Sequence, residues 1–309
     1  MHYLDFEEHI GEVEEKLSQG QLSLSEQKRL QNKLIRLIDL AYKRLTPWQR
    51  TQIARHEDRP HASDYIKSLF QNFVPLSGDR VFGEDKALLG GLAQFHGRTV
   101  MVLAQEKGNN TQTRIAHNFG MACPEGYRKA VRLMKLAEKF QFPVLTFVDT
   151  PGAFPGVEAE ARGQGQAISE CISVGLDLRV PLLATIIGEG GSGGALALAT
   201  GNKILMLENA IYSVISPEGC ASILWKDFKF AHQATRVLRL TAKDLLGLKV
   251  IDAIIPEPKG GAHRFPKQTI QAVDVALQKA LADLTQLSPD AWVAERHEKF
   301  LQMGQTLKG

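Results

Sequence analysis

Five glycines fall within seven residues in Gly188-Glu189-Gly190-Gly191-Ser192-Gly193-Gly194, directly after the apolar run Val180 to Ile187. The apolar run reads as a buried strand, and the small apolar segment Ala195 to Ala199 as a helix. Backbone is left bare where that helix begins, so its first N–H groups, which have no acceptor inside the helix, face outward. Bare amides at a helix start stabilise negative charge. If that charge is a developing oxyanion, each donor is typically worth about 10²–10³ in rate.

The order of strand, glycine turn and helix recurs along the chain. Leu88 to Phe95, His96-Gly97 and Thr99 to Ala104 predict a hairpin. Further apolar runs cover Pro143 to Val148, Pro181 to Ile187, and Ile204 to Ser216 with a break near Asn209. After each comes a turn and a helix: Pro151-Gly152-Ala153-Phe154-Pro155-Gly156, the glycine run, and Pro217-Glu218-Gly219. Continuous apolar strands with helical crossovers imply a sheet covered on both faces, an α/β fold. Pro124-Glu125-Gly126-Tyr127 and Pro217-Glu218-Gly219-Cys220 echo each other ahead of helices, which favours stacked turns of one superhelix over two unrelated domains.

The flanks read differently. Leu30, Leu34, Leu37, Ile38, Ala41 and Leu45 recur at helical spacing with Lys28, Arg29, Lys33, Arg36 and Lys43 between them, and Thr46-Pro47-Trp48-Gln49 restarts a helix with a cap. This arm either packs on the body or meets another subunit; the pattern does not separate the two. The helix Tyr127 to Phe140 carries Arg128, Lys129, Arg132 and Lys135, which read as a solvated basic face over a core stripe. After Pro258-Lys259-Gly260-Gly261 the tail is helical, with Ser288-Pro289-Asp290 starting the last helix.

At 309 residues with 44% hydrophobic content, the chain can bury a full core. A formal charge of +3 is far from that of a dedicated nucleic-acid binder. The three cysteines, Cys123, Cys171 and Cys220, form no CxxC pair, so neither a disulfide framework nor a zinc ribbon is encoded. No basic leader precedes an apolar stretch, and no apolar run approaches about 18 residues, so a cytoplasmic protein with no membrane association is expected.

Two other enzyme readings compete for the glycine run. Gly190-Gly191-Ser192-Gly193-Gly194 matches the nucleophile elbow G-x-S-x-G in a strand-to-helix context, with Asp252 and His263 following in the required order. A serine hydrolase built on Ser192 therefore stays open, although glycines at this density match by chance easily. Gly188 to Gly193 also fits G-x-G-x-x-G, but without an acidic partner at the end of a following strand, and no Walker loop is present.

Several blocks together resemble one family: Gly78-Asp79-Arg80, Asn118-Phe119-Gly120-Met121, Pro124 to Ala130, Asp149-Thr150-Pro151-Gly152-Ala153, Ile187 to Ala197, Tyr212 to Trp225, and Ile254-Ile255-Pro256-Glu257-Pro258. They are similar to the carboxyltransferase α subunit of bacterial acetyl-CoA carboxylase along nearly the whole chain. The resemblance implies a crotonase-like superhelix of β-β-α units, with an N-terminal helical arm (1–60), a carboxyltransferase domain (61–285) and a C-terminal helix (286–309). It also implies that carboxyl passes from carboxybiotin, borne on a biotin carboxyl carrier protein, to acetyl-CoA, giving malonyl-CoA for fatty-acid synthesis. Carbon dioxide and a biotin enolate are the implied intermediates, so no protein base is required. The partners it implies are a carboxyltransferase β subunit in an α2β2 arrangement, the carrier protein and biotin carboxylase. By the same resemblance, Gly193 and Gly194 match the amide pair that holds the biotin urea oxygen, Gly190 and Gly191 shape the approach, and the β subunit holds the thioester. The family's zinc belongs to the β subunit, which leaves no metal in this chain. Lys107 and Arg114 remain in a loop less charged than the family pattern, and Arg128 and Lys129 keep that pattern.

Overall fold

The computed structural model describes residues 2–20 and 22–305. Eight strands form one sheet: β1 (Gln71–Pro75), β2 (Leu88–Phe95), β3 (Arg98–Gln105), β4 (Val144–Thr150), β5 (Leu182–Gly191), β6 (Lys203–Leu207), β7 (Ile211–Ser213) and β8 (Ala253–Ile255). They lie in the order β1-β2-β3-β4-β5-β6-β8, and β7 pairs with β5. The first three run antiparallel and all later pairs are parallel.

The expected hairpin is present. His96 and Gly97 both take positive φ, 46° and 77°, as a two-residue turn matched to strand twist requires. The predicted break near Asn209 separates β6 from β7. Every residue of β4 and β5 is buried, which is why their sequence shows continuous apolar runs instead of alternation. Helix Pro124–Lys139 packs on β2 and β3, and helix Pro266–Leu284 on β5 and β8.

The two echoed motifs are both helix starts with proline in the first turn, at Pro124–Lys139 and Pro217–Trp225. Their first-turn glutamates also behave alike. Glu125 takes Arg162 and Glu218 takes Arg55, each an arginine from another element. The cap at Thr46 is a full capping box with Gln49, ahead of helix Pro47–Ala54.

Two expectations need correction. Of Arg128, Lys129, Arg132 and Lys135 on helix Pro124–Lys139, only Lys135 is solvated: Arg128 donates to Asp79 at 2.7 Å, Arg132 to the Gly78 carbonyl at 3.0 Å, and Lys129, 1% exposed, to the Asp85 carbonyl at 2.8 Å. Arg128, Arg132 and Lys129 clamp the 76–85 loop onto the helix. The glycine run is also not all turn. β5 continues through Gly191, because β7 pairs with Glu189, Gly190 and Gly191, and the helix that follows is the five-residue Ser192–Leu196 instead of Ala195 to Ala199.

The arm folds back on the body. Helix Leu24–Tyr42 has no fully buried residue, yet Tyr42 donates to Glu7 at 2.7 Å, and Arg264 reaches Glu7 at 3.2 Å and Glu14 at 2.6 Å. The next segment is stitched to the sheet end by three arginines. Arg50 donates to the Glu208 carbonyl, Arg55 to Glu189, and Arg59 to the Ile187 carbonyl and Glu257.

Candidate active site

Each glycine of the run serves a different neighbour. A Cβ at Gly188 would lie 2.5 Å from the Asp149 carboxylate, at Gly190 2.9 Å from the Tyr212 ring, and at Gly191 2.1 Å from the Pro151 carbonyl. These three let the 149–153 loop and β7 close onto β5. A Cβ at Gly194 would meet the Ala153 nitrogen at 2.6 Å, so backbone again occupies the place of a side chain. Gly193 differs: its Cβ would touch only the Ile168 methyl, at 3.4 Å.

Ser192, Gly193 and Gly194 are the first three residues of their helix, where N–H groups have no helical acceptor. No side-chain acceptor in the described residues takes them up either. Gly193 is half-buried and Gly194 buried. A five-residue helix adds little macrodipole, so whatever charge this turn stabilises is met by individual N–H groups rather than by the helix as a whole.

A charged chain lies three residues before the turn, at Glu189, which sequence reasoning did not find. The Glu189 N–H donates to Asp149 at 2.9 Å. The buried Glu189 carboxylate accepts Arg55 Nε at 2.8 Å and Nη2 at 2.7 Å, and Lys107 at 3.3 Å; Lys107 also pairs with Asp149 at 2.8 Å. Arg55 continues to Glu218 at 2.7 Å. Burial alone would depress the Lys107 ammonium, yet the two carboxylates beside it hold it above the ordinary lysine range. Burial would likewise raise the Glu189 carboxyl, but Lys107 and Arg55 outweigh it and hold it below the usual range.

A cavity of about 500 Å³ opens beside this chain, walled by Arg55, His61, Lys107, Phe119, Pro151 and Glu189 among others. Its rim is strained. Asn118, Phe119 and Gly120 take φ of 47°, 55° and 81°, and a Cβ at Gly120 would lie 2.7 Å from the Lys107 side chain. Gly193 and Gly194 are not among the residues that line this cavity; Gly193 faces Ile168, and Gly194 is buried against the 152–153 backbone.

The hydrolase constellation does not assemble. Ser192 has the strained φ of 53° that an elbow shows and is exposed, but no base meets its hydroxyl among the described residues. Asp252 instead accepts the Ile204 N–H and Lys299, each at 2.7 Å, and His263 is buried against Tyr42 and Glu7. The three cysteines are buried and unpaired. Burial pushes the Cys123 thiol up to about 11 and the Cys171 thiol up to about 12, the opposite of an activated thiolate.

Glu7, His56 and His263 bring possible metal ligands together. The donor atoms of His56 and Glu7 are already engaged, whereas His263 Nδ1 is buried without a partner. His56 uses one ring nitrogen on the His2 carbonyl at 2.8 Å and the other on the Asp58 N–H at 3.1 Å, while Arg264 supplies Glu7 with a cation. No helix among the described residues is long and apolar enough to cross a membrane.

After β7, which pairs with Glu189–Gly191, helices Pro217–Trp225 and Ala231–Leu238 and the turn Phe228–Phe230 between them carry large apolar side chains in solvent: Ile223 is 62% exposed, Phe228 64% and Val237 62%, with Leu224 and Trp225 also exposed.

The sheet and its helices define a class, the crotonase-like carboxyltransferase fold. Transcarboxylase 12S, with methylmalonyl-coenzyme A bound, superposes with a TM-score of 0.61 at 16% identity, over 74% of this chain and 42% of that one. A Pseudomonas malonate decarboxylase hetero-tetramer in complex with coenzyme A gives 0.56 at 18% identity, over 68% and 84%. At the level of sequence, residues 2–304 match the family described as acetyl co-enzyme A carboxylase carboxyltransferase-like. The acetyl-coenzyme A carboxylase carboxyl transferase subunit alpha of Paramagnetospirillum magneticum is 55% identical over 98% of both chains. The chain belongs to the family of acetyl-CoA carboxylase carboxyltransferase α subunits.

Proposed function

We propose that this chain is the α half of a carboxyltransferase that moves carboxyl from carboxybiotin to acetyl-CoA, forming malonyl-CoA. The observation that carries the reading is the 55% identity to a named α subunit along 98% of both chains. Carboxybiotin, presented by its carrier protein, supplies the activated carboxyl group when bound. The N–H groups of Gly193 and Gly194 would hold the urea oxygen of biotin and stabilise negative charge there, while Gly190 lets β7 and Gly191 lets the 151–153 loop close onto the strand end.

Fit favours Gly193. It is half-buried, its N–H lacks a helical acceptor, and only a methyl group stands near where a side chain would be. Gly194 carries a second, structural demand, because backbone lies against it. The site lacks a serine–base pair and needs no protein base if the substrate carries its own, which supports transfer over hydrolysis.

A β subunit seats on the apolar face of 217–238 and holds the acetyl thioester, in an α2β2 assembly served by the carrier protein and biotin carboxylase. Exposure of Ile223, Phe228 and Val237, on the segment that follows the strand paired with Glu189–Gly191, supports that placement. Residues 1–60 act as an arm, 61–285 as the catalytic body and 286–309 as a closing segment of a cytoplasmic enzyme. The chain holds no metal of its own; the guanidinium of Arg264 on Glu7 supports this, since it stands where a cation would be needed.

The test is co-purification with the β subunit, then biotin-dependent malonyl-CoA decarboxylation with and without it. Activity only in the complex is expected. Activity from this chain alone contradicts a shared site.

A further inference from the structure

The helical pair that forms the apolar face stands apart from the main core. Cys220, Ala221 and Ala234 pack the two helices on each other, helix Ala231–Leu238 rests on helix Pro47–Ala54, which ends next to Arg55, and Leu238 meets a small cluster of Ala54, Ile211 and Leu240. The chain reaches it from β7, which pairs with β5 at Glu189, Gly190 and Gly191. Only residues 214–216 then intervene before the helix begins, and Val214 is 77% exposed.

One side chain closes this route into a ring. Arg55 gives Nε and Nη2 to Glu189, at 2.8 and 2.7 Å, and Nη1 and Nη2 to Glu218, at 2.7 and 3.2 Å. Glu189 precedes Gly190 on β5, and Glu218 lies in the first turn of the helix bearing Ile223 and Leu224. A guanidinium is suited to this double duty, because its planar fork serves two carboxylates at once; an ammonium offers a point charge.

We propose that Arg55 is a positioning residue that couples seating of the β subunit on 217–238 to the placement of the Gly193 and Gly194 amides. The proposal rests on the α-subunit reading above. When the helix pair is fixed by the partner, Glu218 is fixed with it, and Arg55 carries that constraint to Glu189 and so to the turn four and five residues on. Without Arg55, Glu189 keeps only Lys107, and the turn loses its link to the docked face.

The experiment reconstitutes wild type, Arg55→Met, Arg55→Lys, Glu218→Gln and the double variant Arg55→Met/Glu218→Gln with saturating β subunit. Assembly is read by sedimentation, and kcat and KM for acetyl-CoA in the biotin-dependent reaction. For Arg55→Met we expect intact assembly, kcat lower by about 10–100-fold as for a small misplacement of catalytic groups, and KM nearly unchanged because the thioester is held by the partner. Arg55→Lys restores kcat only partly, and the double variant is no worse than Arg55→Met. Wild-type kcat in Arg55→Met, multiplicative losses in the double variant, or a loss accounted for by failed assembly overturns the coupling. If Arg55→Met does not fold, Glu218→Gln decides alone, since it leaves the Arg55–Glu189 pair in place: lowered kcat at unchanged thermal stability supports the proposal and unchanged kcat overturns it. An inactive wild-type complex would instead count against the α-subunit reading itself.

Discussion

The middle of the sheet and the helical pair at 217–238 are built on opposite terms. β4 and β5 bury every residue between sheet neighbours and helices, whereas the helical pair packs on itself through Cys220, Ala221 and Ala234, rests on helix Pro47–Ala54, and leaves Ile223, Phe228 and Val237 exposed. The first region is closed within one chain, whereas the second leaves large apolar side chains in solvent. The difference teaches that stability and activity can be damaged separately.

The largest expected effect is on the finished side. Leu145→Ala, fully buried on β4, should destabilise the isolated chain by about 2–5 kcal/mol in denaturant unfolding. Ile223→Asp should change that same measurement by less than about 0.5 kcal/mol, because the site is exposed, yet abolish assembly with the β subunit. Equal destabilisation by both would erase the distinction.

Within the turn, Gly194→Ala should cost about 1–3 kcal/mol as an overpacking change against the backbone of Gly152 and Ala153. Gly193→Ala meets only a methyl group and should leave the melting temperature within error.

The arm sharpens the comparison from the acid side. Burial would raise the Glu7 carboxyl, but hydrogen bonds from His263, Tyr42 and the Leu4 N–H, with Arg264 nearby, bring it down to about 2. A carboxyl depressed in the folded state stabilises above its unfolded value and loses that contribution as pH falls through the folded one. The arm's attachment should therefore weaken between about pH 4.5 and 2. Amide exchange in residues 8–18 should rise in that window, and Glu7→Gln should flatten the dependence. The smallest effect expected is none: zinc added to the chain alone should not shift its melting temperature, since the donors of Glu7 and His56 are occupied.

Much of the sheet is legible in the sequence because parallel strands announce themselves as apolar runs and turns as glycine or proline. The His96-Gly97 hairpin, the Thr46 cap and the break at Asn209 are all local, and local rules find them. Lys129 reads as surface charge because helical spacing reports which residues share a face, not which loop will cover it; Glu84 and the Asp85 carbonyl, some 45 residues earlier, do the covering. The glycine run reads as one turn because spacing cannot show that β7 extends the strand beneath it. The chain from Lys107 through Glu189 and Arg55 to Glu218 spans separations of 82, 134 and 163 residues, and no periodicity encodes such pairs.

The central claim is that the amide of Gly193 receives negative charge during carboxyl transfer. It is tested most directly by Gly193→Val reconstituted with the β subunit and assayed for malonyl-CoA formation. A side chain there should block the approach, lowering turnover by about 10²-fold or more while the complex assembles and melts as wild type does. Wild-type turnover from an assembled Gly193→Val complex would contradict the account.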